Sequence, residues 1–74
     1  MSRPSSILGC RIQDARQAAG LSREQVAVDV GKSWATIRAY ELGTATPPVY
    51  VLVDIAQLVG RSIDDLLRDE QVPA

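Results

Sequence analysis

In the segment WATIRAYEL, helical spacing puts Trp34, Ala35, Arg38 and Ala39 on one side. A guanidinium is a planar fork of N–H donors that fits a carboxylate or the O6 and N7 acceptors of guanine. Ile37 and Tyr40 have the spacing of an inward face, which turns Trp34, Ala35, Arg38 and Ala39 outward. This outward set suits the edges of nucleic-acid bases. Arg38 is the expected base contact, with a phosphate contact as its other reading. Ala35 and Ala39 permit close approach and suit a thymine methyl, or are simply good helix formers. Trp34 packs on sugars, a thymine methyl or a base step, or else folds back on the turn before it.

Donors suited to phosphate surround this set: Arg23, Lys32, Ser33, Thr36, Thr44 and Thr46. Arg23 opens a helix, where the free amides and the dipole already favour an anion. Catalysis finds no such support. There is no histidine, and Cys10 is the only cysteine, so an intramolecular disulfide, a zinc ligand set and a histidine acid–base pair are all excluded. No nucleophile stands with a base to activate it. The expectation is therefore no enzyme activity, no metal, no cofactor and no small-molecule ligand.

The elements that must position these residues lie between Gly20 and Gly43, in GLSREQVAVDVGKSWATIRAYELG. Ser22 precedes Arg23-Glu24-Gln25 as a capping box, and Ser33 caps a second helix with Thr36 as a weaker return partner. Gly31 follows Val30 where the first of these helices should stop, because glycine enters the left-handed region without a Cβ penalty. Val26, Val30, Ile37 and Tyr40 face inward, and Ala27 lets the two helix axes approach closely. The expected elements are a helix at 23–30 and a reader helix at 34–42, with the two-helix motif spanning 22–42.

Residues 20–43 resemble the helix-turn-helix of the XRE family, the lambdoid phage repressors and Cro proteins. The matching residues are Gly20-Leu21-Ser22, Val26-Ala27, Val30-Gly31, Ser33, Thr36-Ile37, Glu41 and Gly43, and the similarity extends over about 7–67 through Arg16, Asp54-Ile55-Ala56, Val59-Gly60 and Ser62 to Leu67. The resemblance implies an all-α, compact five-helix lambda-repressor-like DNA-binding domain. It also implies an ion pair of Arg16 with Glu41, tying the first helix to the reader. The loop Thr44-Ala45-Thr46-Pro47-Pro48 departs from the family in lacking lysine and arginine, which weakens the expected phosphate grip.

At 74 residues the chain is a single domain near the lower limit for a self-sufficient core. Residues 1–6 read as a flexible leader, with Ser5 or Ser6 as an alternative cap and Arg3 as a tail residue able to reach phosphate. Residues 7–68 form the domain, and 69–74 a frayed tail. The first helix is expected over 7–19, with Leu8, Ile12, Ala15 and Ala19 inward, Gly20 as its stop and Gly9 a mild weakness. A fourth helix over Val49–Val59 is so apolar that one face cannot absorb it. A second copy should therefore cover Val49, Tyr50 and Val53. Gly60 ends that helix and Ser62 caps a fifth, with Ile63, Leu66 and Leu67 inward.

Net charge is −1, but the charges are segregated. Arg3, Arg11, Arg16, Arg23, Lys32 and Arg38 outweigh Asp14, Glu24, Asp29 and Glu41 in residues 1–53. Asp54, Asp64, Asp65, Asp69 and Glu70 outweigh Arg61 and Arg68 beyond them. One face can thus dock on double-stranded DNA while the acidic end points away. No apolar run reaches membrane-spanning length and no signal-peptide core is present, so a cytoplasmic protein with no membrane partner is expected. The functional expectation is a sequence-specific transcriptional regulator, a repressor, acting as a homodimer on a roughly palindromic operator. The alternative is an interaction module, or an antitoxin-type partner-binding protein, that keeps the fold with weak or no DNA binding.

Overall fold

The computed structural model describes residues 5–67, so Arg3, most of the expected leader and the expected tail lie outside the described residues. Among the described residues five helices succeed one another: α1 Ser5–Ala18, α2 Arg23–Val30, α3 Trp34–Leu42, α4 Val49–Val59 and α5 Ile63–Leu67. Helix α1 starts inside the stretch read as a leader and stops one residue short of the expected end.

The helix boundaries have local chemical causes. Ser22 Oγ accepts from the Gln25 amide while Gln25 Oε1 accepts from the Ser22 amide, completing the capping box of α2. Ser33 accepts from the Thr36 amide at the start of α3, and Ser62 from the Asp65 amide at the start of α5. At the other end of α2, Gly31 takes φ 72°. The Lys32 amide then reaches back to the Ala27 carbonyl, which turns the chain into α3 within three residues. The same six-to-one closure ends α1, α3 and α4, from Leu21, Thr44 and Arg61 to the carbonyls of Arg16, Ala39 and Ala56.

The core gathers Ile12 and Ala15 of α1, Val26 and Ala27 of α2, Ile37 and Tyr40 of α3, five residues of α4, and Leu66 of α5. Leu8, Leu21, Val30, Leu58 and Ile63 pack against it from the edge. Two inward expectations are corrected. Ala19 is exposed, because the turn at Gly20 carries the chain off the core and Leu21 takes the place beside it. Leu67 is exposed as well, since Leu66, about 100° away around this short helix, is the residue that faces α1 and α4.

Helix α4 also departs from expectation. It crosses α1, α2 and α5 rather than packing on one neighbour. It therefore buries Val51, Leu52, Ile55, Ala56 and Val59 within the chain itself. Of the three residues expected to meet a second copy, Val49 and Tyr50 remain open, 76% and 64% exposed, with Val53 half-buried beside them.

Ile37 of α3 is fully buried in the core. Ile37→Ala is expected to cost about 2–5 kcal/mol through lost burial and the cavity left behind. Urea unfolding monitored by circular dichroism measures it.

Candidate nucleic-acid interface

The reader helix is held from behind. Arg16 of α1 places its guanidinium against the Glu41 carboxylate, Nε donating to Oε2 at 2.7 Å and Nη2 to Oε1 at 3.3 Å. Its Nη1 donates to the Leu21 carbonyl at 2.9 Å, so the same side chain also pins the turn between α1 and α2. The Arg16 and Glu41 side chains are only 9% and 2% exposed. Desolvation makes such a pair costly to split, because either charge left alone is stranded in a low-dielectric site.

Arg23 joins the same carboxylate, its Nε donating to Glu41 Oε1 at 2.9 Å. It sits at the first position of α2, as read from the sequence, but its guanidinium is turned toward α3. Its side chain is 29% exposed. Glu41 thereby ties three helices together at one point. No local pattern in the sequence signals the Arg23 contact.

The outward side of α3 is uncovered by the described residues. Trp34 is 42% exposed, and Ala35 and Arg38 are exposed while Ala39 is half-buried. The Arg38 guanidinium lies over the Trp34 ring, 5.9 Å from its centroid. The i, i+4 spacing of the two residues is the signal from which this contact can be anticipated. Thr36 is half-buried, and its hydroxyl is hydrogen-bonded to that of Ser33 at 2.9 Å, with either oxygen able to donate. Both hydroxyls are therefore engaged in fixing the first turn of α3.

The residues flanking the reader are less uniform. Lys32, in the turn, places Nζ 5.7 Å from the centroid of the Tyr50 ring on α4. A candidate phosphate ligand thus meets a candidate interface residue. In the loop after α3, Thr44 Oγ1 donates to the Ala39 carbonyl at 3.3 Å, whereas Thr46 is exposed. On the far side, Arg11 donates from Nη1 to the Asp65 carbonyl at 3.2 Å, joining α1 to α5 away from the reader.

Two short capped helices, a glycine turn between them and an open face on the second define a helix-turn-helix. The profile of a protein family described as a helix-turn-helix domain matches residues 7–70. The chain belongs to the helix-turn-helix domain family.

A solved structure described as the restriction-modification controller protein C.AhdI from Aeromonas hydrophila shares the fold. Its TM-score is 0.80 at 22% sequence identity, over 86% of this chain and 97% of that one. The comparison with curated proteins finds no match. Membership of this family supports a DNA-binding regulator of transcription. No helix among the described residues of this helix-turn-helix protein is long and apolar enough to cross a membrane.

Proposed function

We propose that the protein is a sequence-specific repressor that docks α3 in the major groove of double-stranded DNA, as a homodimer on a roughly palindromic operator in the cytoplasm. The observation that carries this reading is the open side of α3. Trp34, Ala35 and Arg38 project from a helix whose opposite side, through Ile37, Tyr40 and Glu41, is locked into the domain. A rigid rod with one free, cation-bearing side is what a major groove accepts. Two copies related by a twofold axis read half-sites roughly 10–10.5 base pairs apart. Val49, Tyr50 and Val53 on α4 form the contact between copies. Sedimentation should give a dimer at tens of micromolar (an order-of-magnitude choice for a small interface), and Tyr50→Glu should shift it to monomer.

Selection of bound duplexes from a random pool tests binding, symmetry and base preference together. Arg38→Ala is expected to weaken binding to the selected duplex about tenfold to a hundredfold and to relax preference at one guanine. Lys32→Ala should instead weaken all sequences alike and lower the salt slope by about one. Enrichment of asymmetric sequences, or none at all, would count against the dimeric reader.

A second reading has its own support. Arg23 is turned into the Glu41 pair, Lys32 sits on Tyr50, and the loop after α3 has no basic residue. An interaction module or antitoxin-type protein with weak DNA affinity fits these features. Absence of retention on heparin and of any gel shift with random DNA at low salt would favour that second reading.

A further inference from the structure

We propose that Trp34 is a positioning residue for Arg38. Its indole face holds the guanidinium in place before DNA arrives, so that discrimination at guanine depends on a tryptophan that need not touch the base. The inference rests on the DNA-reading role of α3.

Three observations support it. The ring and the guanidinium are in contact, 5.9 Å between the centroid and Cζ, with both side chains on the outward side of the helix. Tryptophan offers the strongest aromatic face for a cation, and the contact is more costly to break once water is excluded. The platform itself is fixed, because Ser33 caps α3 at the Thr36 amide, directly across the first turn that carries Trp34. Among the described residues no carboxylate pairs with Arg38, in contrast to Arg16 and Arg23, which share Glu41.

The geometry of the two functions is compatible. A cation–π contact engages the guanidinium through its charge, whereas the fork that meets guanine O6 and N7 is formed by N–H donors in its plane. One side chain can therefore stack and read at once. An arginine without such a platform must give up its rotamer freedom on binding; one already held against a ring has given up part of it beforehand. The stack thus accounts for an exposed aromatic residue beside the expected reader.

The test uses the full chain and a duplex selected from a random pool, with each guanine replaced in turn by 7-deazaguanine, which lacks the N7 acceptor. Wild-type protein should lose affinity at one guanine. In Trp34→Leu that loss should shrink about two- to fivefold, the ratio expected of an exposed cation–π contact, and Trp34→Phe should retain most of it. Arg38→Ala should abolish the loss whether or not Trp34 is present. Trp34 is the only tryptophan, so its fluorescence in the free chain reports the stack alone, and Arg38→Ala should change that emission.

Emission unaltered by Arg38→Ala overturns the stack, whatever the DNA results. An equal weakening of all duplexes by Trp34→Leu, with the N7 dependence intact, overturns positioning and makes Trp34 a direct DNA contact. Should the wild type shift no duplex at low salt, the DNA-reading role fails and the proposal falls with it, even if the fluorescence shows the stack. Circular dichroism melts of both Trp34 variants separate loss of fold from loss of discrimination.

Discussion

Glu41→Ala is expected to destabilise the domain by about 3–5 kcal/mol, the cost of leaving a buried charge without its partner. Glu41 accepts from Arg16 twice and from Arg23 once, and its side chain is almost wholly removed from water. Truncation strands Arg16, which is itself buried and, among the described residues, retains only the Leu21 carbonyl. Small domains hold about 5–15 kcal/mol in all, so the variant should melt roughly 12 °C or more below the wild type. Arg23→Ala provides the contrast. Its side chain keeps access to water, so the expected loss is at most about 1 kcal/mol. Urea unfolding of both variants decides the matter: equal losses would mean that Glu41 is not the strut between α1 and α3.

Gly9→Ala is expected to destabilise by about 1–3 kcal/mol, although helix propensity alone points the other way. An alanine inside a helix ordinarily gains up to about 1 kcal/mol over glycine. Here a Cβ would stand 2.7 Å from the Tyr40 carbonyl oxygen and 2.8 Å from the Glu41 carbonyl carbon, with the Glu41 oxygen closer still. These are backbone atoms of α3, so no rotamer change relieves the contact. The helix must move away, and that movement also pulls Arg16 from Glu41. Thermal unfolding measures the sign directly. A variant that melts above the wild type would show that the two backbones do not cross this closely.

Both predictions separate what local sequence determines from what it cannot. Helix ends were legible because their hydrogen bonds close within a few residues. Ser22, Ser33 and Ser62 cap the helices that start beside them, and Gly20, Gly31 and Gly60 stop the helices that precede them. The inward positions of Ile12, Val26, Ile37 and Tyr40 were legible for a related reason, since helical periodicity commits a side chain to one side wherever the helix later docks.

Tertiary structure decided the remainder. Gly9 passes for a weakness until α3 is seen to lie against it. The turn of Arg23 toward Glu41 depends on the angle at which α2 meets α3. The apolar residues of α4 exceed what one neighbour can cover, but α1, α2 and α5 together enclose all but a short stripe. In each case the partner lies on another helix. Hydrogen-bond closure and periodicity act within a single helix, so which residues meet across helices emerges only when the helices pack.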